Sequence, residues 1–167
     1  MARKVASIRS HWNHFFDGLS ASSQDFFTTV EAEVKKRNLP DVKFGRVDFK
    51  EGGIFSAKRE YLRVEHKDHI FDICAAPFGT GFFFSWWLGD PAPSGIWGII
   101  LTIPVVGAFA QRFFKPLTYY NMDTSHMVQG AISFAIKEVL ETITKANGRR
   151  SLTDDELKPV MKDLFGK

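Results

Sequence analysis

Hydrophobic and polar positions change period along the chain. From about Ser7 to Arg37 the spacing is helical. Ile8, Trp12, Phe15, Phe16 and Leu19 share one face, and Phe26, Phe27, Val30 and Val34 a second. Gly18 and the serines at 20, 22 and 23 interrupt the run, and Ser22 is placed to cap a new helix with Asp25 in its first turn. Lys35, Lys36 and Arg37 suit the negative end of a helix dipole, and Asn38-Leu39-Pro40 stops it. This pattern predicts N-terminal helices broken near Gly18.

From Val42 the period is two. Val42, Phe44, Val47 and Phe49 alternate with charged residues, Glu51-Gly52-Gly53 signals a turn, and Tyr61 to Glu65 alternates again. A polar His66–His69 turn precedes Ile70 to Cys74. These segments predict antiparallel strands near 42–50, 56–66 and 69–76, with a possible fourth over Gly81–Leu88. A later helix follows Asp123 or Thr124, with Val128, Ala131, Ile132, Ala135, Ile136, Val139, Leu140 and Ile143 on its apolar face. Thr153-Asp154-Asp155-Glu156 reads as a capping box for a short final helix through Phe165.

The expected fold class is therefore α+β: N-terminal helices, a small antiparallel β-meander of three to four strands, one hydrophobic membrane-associated helix or hairpin, and C-terminal helices. The expected divisions are a helical and meander region over 1–76, a hydrophobic segment over 77–114 and a helical region over 115–167.

The hydrophobic segment carries the strongest expectation. Between Asp72 and Arg112 the sole charge is Asp90. A spanning helix needs about 20 mostly apolar residues. Ile96, Ile99, Ile100, Leu101, Ile103, Val105, Val106, Phe109, Phe113 and Phe114 contribute roughly −3 to −6 kcal/mol of insertion energy together. Pro104 is tolerated in a membrane helix more readily than in water, where it costs about 3 kcal/mol. Three versions follow: a shallow hairpin around Asp90, a single span from Ile96 to Phe114, or a buried core helix. The membrane-contacting residues would be Phe82, Phe83, Phe84, Trp86, Trp87, Trp97, Ile99, Ile100, Leu101, Ile103, Val106, Phe109 and Phe113. Lys58, Arg59 and Arg63 before the segment, and Arg112 and Lys115 after it, put both flanks on the cytoplasmic side. Gly81–Leu88 is too short to span as a helix and reads as an aromatic interfacial strand or loop.

Composition changes this picture little, except in one respect: 17 of 167 residues are Phe against 3 Tyr. Such a chain either packs a very aromatic core or shows rings to lipid. The net charge of +3 is spread over both flanks, which speaks against nucleic acid as a partner. Cys74 is the one cysteine, so no internal disulfide and no cysteine-based zinc site can form.

Candidate chemistry is thin. His66 and His69, and His11 and His14, sit three apart without a further identifiable ligand, so no metal and no cofactor is assigned. Pro77-Phe78-Gly79-Thr80-Gly81 lacks the helix and the lysine of a phosphate loop. No catalytic residue is assigned, and Ser85 lacks a nucleophile-elbow setting. Gly130, Ala131 and Ala135 are small residues that would let a partner helix approach closely. The functional expectation is a membrane-associated, non-enzymatic accessory or scaffold protein, part of a larger or homo-oligomeric assembly. Its partners would be the lipid bilayer and a protein partner or second copy. The alternatives are a small lipid- or amphiphile-binding module or enzyme, with an aromatic pocket around Phe78, Phe82–Phe84 and Trp86-Trp87, and a membrane-perturbing effector.

Overall fold

A computed structural model describes residues 3–50, 58–92 and 118–161 of the chain. Its elements are β1 (Val5–Phe16), α1 (Ser23–Lys36), β2 (Val42–Lys50), β3 (Lys58–His66), β4 (His69–Phe78), β5 (Gly81–Pro91), α2 (Tyr119–Ala146) and β6 (Val160–Met161). Among the described residues the strands form one antiparallel sheet in the order β2-β3-β4-β5-β1-β6. Both helices pack on the same face of it.

The N-terminal strand corrects the first expectation. Val5–Phe16 is extended, not helical, and pairs along its length with β5, from Val5 opposite Pro91 to Phe16 opposite Phe82. Its buried positions are Ser10, Trp12 and Phe16, all of even number, as a strand requires. Helical spacing and strand alternation share Trp12 and Phe16, and pairing with β5 decides between them. Gly89 permits that pairing: a Cβ there would lie 2.6 Å from the Ser7 carbonyl oxygen. The meander is likewise larger than three or four strands, because β1 and β6 extend it on one side.

α1 begins where Ser22 accepts the Asp25 N–H at 3.2 Å, and it buries Phe26, Phe27, Val30 and Val34. Fully burying such a side chain contributes roughly 1.5–3 kcal/mol. The helix carries the chain from β1 across the sheet to its far edge at β2. The turns back through the meander are short: Lys67-Asp68 joins β3 to β4, and Gly79-Thr80 joins β4 to β5. Lys67 and Gly79 both adopt the left-handed φ such turns need, 49° and 58°.

β5 corrects the membrane expectation for its own residues. It is an interior strand, hydrogen-bonded to β4 and β1. Phe82, Phe84, Trp86 and Leu88 point into the core beneath the helices, where Phe26 meets Phe84 at 4.8 Å between ring centres. Asp90 is no hairpin tip: it accepts from Arg9 at 2.8 Å and Ser7 at 2.9 Å within the sheet. None of the helices among the described residues is long and apolar enough to cross a membrane, so the transmembrane-helix expectation finds no support there. The residues of the expected span, Ile96 to Phe114, lie outside the described residues.

The expectation of C-terminal helices is also corrected. α2 is one long helix, but the capping box leads only into a turn at 154–157 and the two-residue β6. Thr153 does accept the Glu156 N–H at 3.3 Å, while Glu156 accepts from the Thr153 N–H at 2.8 Å. The box is made, yet Pro159 and the pull of the β1 edge draw the chain into extension.

Candidate functional site

α2 has two unlike sides. Its inward side buries Val128, Ile132, Ala135, Ile136, Val139 and Leu140 against the sheet and α1. Its first half also carries large apolar side chains facing away from the protein: Tyr119 is 86 % exposed, Tyr120 77 %, Met127 71 % and Phe134 51 %. Tyr120, Met127 and Phe134 are seven residues apart, which stacks them along one stripe of a helix. From Tyr119 to Phe134 the only acidic or basic residues are Asp123 and His126. The next turns return to Lys137, Glu138, Glu141 and Lys145.

Beside this stripe lies a cleft of about 130 Å³ between α2, β1 and β5. Trp12 and Trp86 form its floor. Gly130, Ser133, Phe134 and Lys137 form its α2 rim, and Ile136, Leu140 and Leu157 complete the wall. Gly130 gives the rim backbone alone, and a Cβ there would stand in open space, with nothing within 4 Å.

A strap over residues 149–161 closes the far side. Trp12 Nε1 donates to the Glu156 carbonyl at 2.6 Å, and Lys137 reaches Asp154 at 3.2 Å. β6 pairs with Ser10 and His11 on the β1 edge. Arg150 grips Glu156 through two bonds of 2.7 Å, and with Thr153 it holds that carboxyl well below the usual range.

The other face of the sheet has its own polar row. Arg63 donates to both Asp72 oxygens at 2.7 Å, and each residue is only 4 % exposed. The Arg3 carbonyl accepts a further Arg63 N–H. Burial pushes the Asp72 carboxyl up, and the Arg63 bonds pull it back. Trp87 flanks this pair and stacks on His11 at 4.7 Å. Both partners of the ion pair are satisfied, so the row reads as structure. Cys74 is buried nearby, and burial pushes its thiol up, away from nucleophilic use. At the β3–β4 turn, His66 and His69 are buried with ring centres 6.4 Å apart. Among the described residues no group of three or more His, Cys, Asp or Glu is placed to hold a metal ion.

The structure places the residues singled out by sequence as follows. Phe82, Phe84 and Trp86 are in the core, Phe83 is half-buried on the other face, and Trp87 is exposed there. Strand alternation therefore divides the expected aromatic pocket, and Trp86 alone of that group lines the cleft. Phe78 is exposed at the end of β4. Trp97, Ile99, Ile100, Leu101, Ile103, Val106, Phe109 and Phe113 lie outside the described residues. Gly130 is exposed at the cleft rim, Ala131 is half-buried, and Ala135 packs inside the protein's own core. Sequence reasoning missed Tyr120, Met127 and Phe134. Their seven-residue spacing was the available signal, overshadowed by the more continuous apolar face of the same helix.

In comparisons with known proteins, no family model matches the chain and no curated protein matches it.

Proposed function

We propose that this chain is a non-enzymatic accessory or scaffold module that docks a protein partner on the outward side of α2. The observation that carries the reading is the charge-poor outward side of the first half of α2, where Tyr119, Tyr120, Met127 and Phe134 are exposed. Interface centres are enriched in aromatic residues and Met and depleted in Lys, Glu and Asp, and this half-helix has that composition on its solvent side. A photo-crosslinking amino acid at position 127, used in the cells that make the protein, tests it. A discrete adduct that disappears with Tyr120→Glu is expected. Labelling no greater than from a probe at the exposed Thr142 would overturn the reading.

The cleft favours a second reading, a site for the apolar end of an amphiphile. A cavity of about 150 Å³ holds a benzene-sized group. The cleft's volume of about 130 Å³, with Lys137 at the rim, suits an aryl chain ending in a carboxylate. Titration with 4-phenylbutyrate, followed by methyl NMR of Ile136 and Leu140, tests this. Unmoved methyl signals at millimolar ligand would remove it.

A further inference from the structure

We infer that the partner is a second copy of this chain, its α2 running antiparallel to the first about a two-fold axis at Met127, with the Tyr120 ring of each copy seated in the cleft of the other. The inference rests on the docking role proposed for α2 and names its partner.

The stripe is symmetric about its own centre. Tyr120 and Phe134 lie seven residues to either side of Met127, about 10.5 Å along the axis each way. An antiparallel copy sharing that centre sets Tyr120 opposite Phe134, Thr124 opposite Gly130, and Met127 against itself. A two-fold contact has to be self-complementary in this way. The single acidic side chain of the stripe, Asp123, falls opposite Ala131, so no like charges meet.

The cleft sits at the height this pairing demands. Its α2 rim is Gly130, Ser133, Phe134 and Lys137, one turn to either side of the position facing Tyr120 of the second copy. Gly130 gives the rim no side chain at that point, and the cleft's volume of about 130 Å³ is close to that of one aromatic ring. Trp12 and Trp86 form an aromatic floor for that ring.

The area is sufficient for a reversible dimer. Aromatic side chains bury roughly 150–250 Å² each. At their exposures, the three stripe residues would bury about 400 Å² per copy, about 800 Å² in all, the small-interface range of a weak, reversible contact.

Cysteine pairing tests the geometry on the full chain. Cys74 is buried, so Met127→Cys introduces one accessible thiol. The two-fold axis predicts that the Met127→Cys variant links to itself under mild oxidation, through the introduced thiols of two copies. Tyr120→Cys and Phe134→Cys should each fail to self-link yet link to one another when mixed. Self-linking at positions 120 and 134 would mean a parallel pair and overturn the inference, as would no linking at 127. Gly130→Leu, at an exposed position, should leave the fold intact by circular dichroism and raise the dimer dissociation constant about tenfold or more. An unchanged constant would remove the ring from the cleft. A photo-adduct at 127 with the mass of another protein would leave the docking role standing and refute the second copy. A monomer without any adduct would refute both.

Discussion

The two helices share one face of the sheet and bury similar apolar faces, yet their outward sides differ in kind. α1 covers its solvent side with charge: Lys35 pairs with Glu31 at 2.7 Å and Lys36 with Glu33 at 2.8 Å, and no large hydrophobic side chain is exposed. α2 leaves Tyr119, Tyr120, Met127 and Phe134 in water. At their boundary the two surfaces touch, where Arg37 at the end of α1 lies over the Phe134 ring at 5.0 Å and pairs with Glu138 at 2.6 Å. The inward faces account for the core, and the outward side of α2 is where the proposed docking role is placed.

The largest effects should come from the inward faces and fail to distinguish the helices. Phe26→Ala in α1 is expected to cost about 3–5 kcal/mol, and Ile132→Ala in α2 about 2–5 kcal/mol, by urea denaturation. Both side chains are essentially inaccessible. A cost below about 1 kcal/mol at either site would break the claim that both inward faces build one core.

Acid provides an intermediate effect that should weaken the core and spare the outward face. His69 is buried with neither ring nitrogen hydrogen-bonded. Burial lowers its pKa below the ordinary 6.5, and Arg9 adds to this while Asp90 opposes it, with His66 lowering and Asp68 raising it slightly. His14 is lowered in the same direction, chiefly by burial. The unfolded chain then takes up protons near pH 6.5 that the folded one refuses. Stability should be complete above that pH and fall as pH drops through about 6.5 toward the lowered native values. His69→Phe should flatten part of this slope in urea midpoints taken between about pH 7.5 and 5.5. A dimer lost before the fold in the same titration would break the separation between outward face and core.

The smallest stability effects should separate the helices most sharply. Met127→Glu on α2 and Lys36→Gln on α1 are both surface changes, expected within about 0.5 kcal/mol of wild type. With a second copy as the partner, only Met127→Glu should alter the mass measured by light scattering. Equal behaviour of the two variants in that measurement would erase the distinction drawn between the helices.

The parts of the fold legible in the sequence are those where one face of an element is wet. The alternation of Val42 to Phe49 and Tyr61 to Glu65 marks strands, and the Phe26 to Val34 periodicity with its Ser22 cap marks a helix, because exposed positions punctuate the pattern. β4 and β5 lack that punctuation. From His69 to Ala75 every residue of β4 is buried, whichever face of the strand it lies on. A strand buried on both faces reads as an unbroken apolar run, as a membrane segment does. That likeness draws the reading of Ile73 to Leu88 toward a bilayer. The site is half legible: Gly130 stands out as a place of close approach, whereas the cleft beside it depends on Trp12, Trp86 and Leu157, which the chain brings together from three distant segments.

The pairing of β1 with β5 also sets the order in which the molecule can form. β1 is made before β5, and its partner is complete only at Pro91. Until then Trp12 and Phe16 have no sheet to join, while β3 to β5 can zip through their two short turns. Closing the long loop from Phe16 to Phe82 is entropically costly and slow compared with hairpin formation. β1, made well before the strand it pairs with, is thus among the last to be docked, and a chain stalled before Gly81 would present an unpaired aromatic strand to chaperones and to its neighbours.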